Sequence, residues 1–342
     1  MLIFLLLSSA YAACDESNEH ILLTEDKSFV CLHHYPAEGP AILMVHGIAS
    51  NSNFWDVSPT LSVAKYFQDK GYDVWTLDER GHGEAQQSPT GKRLKGAWAV
   101  DDYGYYDIDA AIKFIMEKGH TAVHYFGHSL GGIVLAPYIE RHGDASLSSV
   151  VILSSPMDFQ NPDGRMKLSG VFMALSPRRF NIQRYAKWAA VFKKSPFKID
   201  DLLFSPDSMS VVQRRTMYKT VVSPLNRQEL LQLRKGMKDG EIKTLDGAPY
   251  PELLNSLESP TLVIAGQGDQ IAPSERVKAY YSSIGSTDKV WMNAGVESGY
   301  SLDYGHLDIL ISDTAFQEII PILHQWVENH PSDTQNAFPT DL

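Results

Sequence analysis

The 342-residue sequence predicts an α/β protein: an open, mostly parallel central sheet flanked by helices, with a helical cap inserted between late core strands. Three observations lead there. Short continuous apolar runs recur along the chain (AILMVH, YDVWTLDE, AVHYFGHS, SVVILSS, TLVIAGQGD and KVWMNAG), and runs without polar alternation suit strands buried on both faces of a parallel sheet. Stretches with helical apolar spacing separate them, as parallel crossovers demand. The interval 158–257 breaks this rhythm: it holds no such run and is rich in helix-like, aromatic and methionine-bearing segments.

The N-terminal stretch 1–13, MLIFLLLSSAYAA, joins an apolar run from Leu2 to Leu7 to an Ala10-Tyr11-Ala12 pattern suited to signal peptidase. It reads as a secretory signal and predicts an exported protein. The run is too short for a membrane span, which takes ~20 apolar residues. Cys14 after small residues gives the alternative of a lipid-anchored protein. Cys14 and Cys31 are the two cysteines of the chain, and an exported compartment would let them close a disulfide.

HILLTE and SFVCLHHY predict an antiparallel entry hairpin. The core occupies 14–157 and 258–330, with helices over LSVAKYFQDKG, DIDAAIKFIMEKG, VLAPYIERHG and AFQEIIPILHQWVENH, several ending near glycine. Residues 158–257 form the cap, with helices over LSGVFMAL and RYAKWAAVF. Residues 331–342 are expected to be a flexible tail.

Charge excludes one class of function and shapes another. A net charge of −11 argues against a nucleic-acid partner, which needs clustered Lys and Arg across the surface. The charge is uneven, however: residues 160–240 hold sixteen Lys and Arg against six Asp and Glu, a net +10, so the rest of the chain carries −21. Such a layout could draw an anionic lipid surface or a carboxylate-bearing substrate toward the cap. It is equally compatible with a solvated helical face.

The chemistry centres on YFGHSLGGIVL, where Ser129 stands between Gly127 and Gly131 with a strand-like run before it and a helix-like run after it. In an open α/β sheet, ligands gather beyond the carboxyl ends of the strands. A Gly-x-Ser-x-Gly turn at that place presents the serine as a nucleophile. Serine needs a base, and the base needs an acid to orient it, following in the chain order Ser, acid, His. His306, in a loop after the last strand run, is the base; His324 lies in a helical stretch and His330 near the tail. Asp269, ending TLVIAGQGD, is the acid, with Asp158 second; Asp303 and Asp308 read as solvated loop carboxylates. Backbone amides of Leu130 and of Ile48, after the strand AILMVH, are the expected donors to the oxyanion. His46 and His82 read as loop supports and His128 as a packed neighbour of the turn. Phe54 and Trp55 could line an acyl pocket.

VHGIAS, LDERGHG, GHSLGG, GQGDQIAP and GHLD together resemble the α/β-hydrolase superfamily of serine esterases and lipases, over about residues 19–157 and 258–330. WAVDDYGYYDIDAAIKFI and YGHLDIL are further similar to segments of the acid and gastric lipases. The resemblance implies the same roles for Ser129, Asp269, His306, Ile48 and Leu130, and cleavage of carboxylic esters through an acyl-serine intermediate. A small-molecule or lipid ester is the expected substrate, with transient contact to an anionic lipid surface. Acyl transfer from the same intermediate, or lipid carriage without turnover, are the alternatives. No metal-ligand spacing or phosphate loop stands out, and no cofactor is implied.

Overall fold

The computed structural model describes residues 18–88, 90–92, 94, 97–160, 179–192, 199–206 and 208–332. The expected secretory signal, Cys14, the LSGVFMAL helix and all but the first two residues of the expected tail lie outside the described residues.

Twelve strands are described: β1 (Glu19–Leu23), β2 (Phe29–Tyr35), β3 (Ala41–Val45), β4 (Asp56–Ser58), β5 (Leu61–Ser62), β6 (Asp73–Asp78), β7 (Val123–His128), β8 (Leu147–Leu153), β9 (Arg179–Phe180), β10 (Leu225–Asn226), β11 (Thr261–Gly266) and β12 (Lys289–Ala294). Eight of them make one sheet in the order β1-β2-β6-β3-β7-β8-β11-β12. β2 is antiparallel to both neighbours, and every pairing from β6 to β12 is parallel. The expected sheet and entry hairpin are therefore present.

The apolar runs are continuous because both sheet faces are covered. Every residue of β3, β6, β7 and β11 is buried. Alternate side chains enter two different cores, as the strand period of two requires. Leu43, Val45, Tyr125, Ile152 and Val263 pack on one face, and Ile42, Met44, Phe126, Val151 and Ile264 on the other. At roughly 1.5–3 kcal/mol for each large aliphatic or aromatic side chain buried, this double core is the main source of stability.

Histidines on β2 fasten the antiparallel edge to the parallel sheet. His33 Nε2 lies 3.0 Å from Asp78 Oδ2, and His34 Nε2 lies 2.7 Å from Asp73 Oδ1. Asp78 also accepts the Ser52 and Glu84 amides, so it ties the edge to two loops above the sheet. Burial alone would raise the Asp78 carboxyl, but the hydrogen bond and charge of His33 and the Ser52 amide hold it well below the usual carboxylate range. Burial alone would lower His33, yet Asp78 raises it above 6.5. The Asp78 contribution is present above the ordinary value of 3.8 and is lost as pH falls through its depressed pKa. The His33 contribution is whole below 6.5 and is lost as pH rises through its raised pKa. Urea-unfolding midpoints should therefore decline on the alkaline side of 6.5. His33→Asn should flatten that decline and cost roughly 1–3 kcal/mol below it.

Between β8 and β11 the chain leaves the sheet and forms the covering layer. Its described helices are Gln183–Ala189, Asp200–Leu203, Val211–Thr220, Arg227–Asp239 and Tyr250–Leu253. This layer is not wholly helical, because β9 and β10 pair antiparallel within it. Two-residue strands are too short to leave an apolar run in the sequence.

The layer is anchored by the WAVDDY segment. Asp101 is buried and accepts from Gln232 Nε2 at 2.6 Å, from the Leu245 amide at 2.7 Å and from the Tyr250 hydroxyl. Gln232 in turn accepts the Val100 amide, and Glu229 accepts the Tyr103 hydroxyl. Fully buried Glu229 is pushed up to about 7 by its surroundings. Among the described residues no helix is long and apolar enough to cross a membrane.

Candidate active site

The turn from β7 into the helix Leu130–Ile133 holds Ser129 at φ 53 and ψ −117, a conformation that costs a non-glycine residue of order 1–3 kcal/mol. The surrounding packing enforces it. A Cβ on Gly127 would stand 2.7 Å from the Gly131 carbonyl oxygen, and one on Gly131 would overlap the Val45 and His46 carbonyls. Only glycine lets the helix start lie against both β7 and the end of β3. The Ser129 amide is satisfied by Leu153 O at 2.9 Å, leaving the side chain turned to the site.

Three residues distant in the chain meet there. His306 Nε2 lies 3.0 Å from Ser129 Oγ, and His306 Nδ1 lies 2.7 Å from Asp269 Oδ2. Asp269 follows β11, and its other oxygen accepts the Ile271 and Ala272 amides, both at 2.8 Å. Burial would raise the Asp269 carboxyl, but the charge and hydrogen bond of His306 and the two amides hold it below the usual range. It is thus a carboxylate fixed in orientation, aimed at one imidazole nitrogen. Ser129, Asp269 and His306 are all buried.

His128 is the packed neighbour that the sequence suggests. Burial first, then the proximity of His306, lower it to about 3, so its ring is neutral at ordinary pH. Its Nε2 donates to the His306 carbonyl at 2.8 Å, and its ring stacks on Phe54 at 4.5 Å. Asp308 departs from the sequence reading. It is completely buried, accepting the Gly305 amide at 2.8 Å and the Ser205 amide at 3.0 Å. Burial pushes its carboxyl upward. The Leu307 amide also bonds Leu203 O, so the covering layer braces the His306 loop. Asp158 makes no contact with His306; it accepts the Gln160 amide, and its carbonyl accepts Arg276. Asp303 is exposed and accepts the Val296 amide.

The loop after β3 approaches the serine closely: a Cβ on Gly47 would come 2.9 Å from Ser129 Cβ. Ile48 lines the cavity above Ser129, and Leu130 is the first residue of its helix, where an amide has no carbonyl of its own helix to bond. Ser223, from the covering layer, holds this loop: its amide donates to Ala49 O at 2.8 Å. Its hydroxyl accepts from Asn51 Nδ2 at 3.2 Å and from the Gly83 amide at 3.1 Å. A lone serine within VVSP carries no signal for this task. His46 supports the loop through its Nδ1, 2.9 Å from Gly47 O.

Above Ser129 lies a cavity of about 500 Å³, floored by Gly47, Ile48, Ser129 and His306 and roofed by Tyr185, Ala186, Trp188, Met217 and Tyr218. Its lining is almost entirely apolar. Phe54 contributes to the wall; Trp55 does not and is instead packed in the core.

Residues 40–295 match the family described as alpha/beta hydrolase fold. The bifunctional esterase/perhydrolase DCH of Acinetobacter calcoaceticus is 28% identical over 247 residues, covering 70% of this chain and 78% of that protein. The tear acid lipase-like protein of Mesocricetus auratus is 22% identical over 370 aligned residues, covering 94% of this chain and 89% of its own. The solved structure of a thermophilic esterase from Thermogutta terrifontis aligns with a TM-score of 0.64 at 16% identity, covering 92% of this chain and 100% of the other, a likeness of fold. The family match runs from β3 through β12, and the chain belongs to the α/β-hydrolase fold family.

Proposed function

We propose that this protein cleaves carboxylic esters with a substantial apolar acyl part, through an acyl-serine intermediate on Ser129. The protein is a carboxylic ester hydrolase, in keeping with relatives named esterase and lipase. The observation that carries the finer reading is the Ser129–His306–Asp269 chain of hydrogen bonds at the floor of an apolar cavity.

Ser129 Oγ attacks the ester carbonyl as His306 Nε2 takes its proton. The imidazolium is stabilised by the Asp269 carboxylate. The carbonyl oxygen becomes an oxyanion bonded by the Ile48 and Leu130 amides. Collapse breaks the ester C–O bond, the leaving alcohol takes the proton from His306, and the acyl group stays on Ser129. Water then enters, gives a proton to His306 and attacks the acyl carbon, releasing the carboxylic acid and returning the proton to Ser129.

The cavity's volume and lining support an alkyl chain rather than a small polar acyl group. Tyr185 and Trp188 in the roof are also exposed, next to exposed Arg184 and Lys187, within the stretch 160–240 whose net charge is +10. Aromatic side chains beside basic ones suit transient contact with an anionic lipid surface that supplies the substrate. Export, read from the first thirteen residues, would bring the protein to such substrates and is checked by sequencing the mature N-terminus.

A fluorophosphonate should label the folded protein stoichiometrically at Ser129, and p-nitrophenyl esters should be hydrolysed with kcat/KM rising from acetate to octanoate. Ala186→Trp, which fills the buried roof, should lower octanoate turnover about tenfold or more and spare acetate, on the order of 1–3 kcal/mol of lost apolar contact. Silence toward the fluorophosphonate in folded protein would leave lipid carriage as the better account. Added alcohol that captures most of the acyl group would favour acyl transfer.

A further inference from the structure

Next to the Gly47–Ala49 loop, and outside the lining of the cavity, lies a second polar cluster that the proposed chemistry does not use. His46 directly follows β3, and Glu79 and His82 follow β6. All three are buried, with exposures of 0%, 0% and 1%. One ligating atom from each lies within 4.8 Å of the others. Glu79 Oε2 is 3.7 Å from His46 Nδ1, and the His46 and His82 rings stand edge to face at 5.2 Å.

Neither carboxylate oxygen of Glu79 nor Nε2 of His46 has a hydrogen-bond partner. The adjacent Arg80 guanidinium makes its ion pairs elsewhere, with Asp107 at 2.7 Å and Asp26 at 2.5 Å. Glu79 could be ionised there only at the cost of desolvating its charge, and a cation among these three residues would offset that cost.

We propose that His46, Glu79 and His82 ligate one buried divalent ion of the zinc class. Two imidazoles and one carboxylate suit zinc and its first-row neighbours, whereas magnesium and calcium prefer all-oxygen shells. The His46 Nδ1 contact with Gly47 O orients the ring as an outer partner of a metal ligand does, and Nε2 is the ring nitrogen without a hydrogen-bond partner. At metal–ligand distances of about 2.0–2.1 Å, tetrahedral donors stand roughly 3.3–3.5 Å apart. Loading would draw the ligating atoms, which lie within 4.8 Å of one another, in to that spacing by side-chain rotation. The ion would not touch substrate. It would link the loop after β3 to the loop after β6 and stiffen the backbone carrying Ile48.

The full chain, stripped with chelator, is titrated with Zn²⁺ alone. One equivalent should remain bound through gel filtration and raise Tm, and Co²⁺ in its place should give the visible d–d absorption of a low-coordinate site. Glu79→Gln and His82→Asn should each weaken Zn²⁺ binding about a hundredfold or more. His306→Ala should leave it intact, which separates this site from the imidazole beside Ser129. If either variant fails to fold, the Co²⁺ spectrum and the Zn²⁺-dependent Tm of the unmodified chain still decide the matter. Folded protein that takes up no Zn²⁺, binding indifferent to both substitutions, or binding lost with His306→Ala would each overturn the proposal.

Discussion

Replacing Ser129 by alanine is expected to lower ester kcat/KM by about ten-thousandfold or more and to abolish fluorophosphonate labelling, with little change in stability. The asymmetry follows from the site's construction. Ser129 contributes one side-chain hydrogen bond, to His306, and no helix cap, while its unusual backbone conformation is imposed by neighbours that alanine leaves in place. Asp269→Asn should cost about a thousandfold to ten-thousandfold, because an amide no longer selects the tautomer of His306 that leaves Nε2 free to accept a proton. The residual rate in both variants would report what the amides and the cavity achieve alone. Activity within tenfold of the parent in correctly folded Ser129→Ala would remove the proposed nucleophile. The acyl-serine mechanism would go with it.

Gly131→Ala should be the most damaging single methyl addition near the site. The new carbon would meet the carbonyl oxygens of Val45, the last residue of the central strand β3, and of His46 just after it, backbone that cannot turn aside. Overpacking in a core typically costs about 1–3 kcal/mol, and a clash against two backbone atoms at the sheet centre should reach or exceed the top of that range. Urea unfolding measures it directly, with Ser129→Ala two residues away as the folded control. An unchanged midpoint would mean that the helix start and β3 are not in the intimate contact described.

The sheet could be read from the sequence because its physical cause is local. Strands covered on both faces have no position for a polar residue to face water, so β3, β7, β8 and β11 spell themselves out as apolar runs. Ser129, Asp269 and His306 could be nominated because each sits just past a strand or in the late loop, in an order that this architecture constrains. What escaped depends on distant segments. Asp308 reads as a solvated loop carboxylate, yet residues 203–205 of the covering layer lie over it and turn it into a buried acceptor. Ser223 is one serine among many until it meets Ala49, Asn51 and Gly83. Phe54 and Trp55 are indistinguishable as adjacent aromatics, and only the packing sends one to the cavity and the other to the interior. Asp101 was visible as part of an acid-rich run, but its three donors come from segments more than a hundred residues later.

Ser223 also bears on how this architecture can be altered. Because the stretch above the sheet grips the backbone from which Ile48 would greet a substrate oxygen, it is not an ornament to be trimmed or traded for another specificity. A pared-down enzyme joining residue 157 to residue 258 would forfeit the grip along with the roof, and so would surrender rate as well as selectivity. Grafting a foreign lid would succeed only if the newcomer brought its own hydroxyl and amide to the same spot.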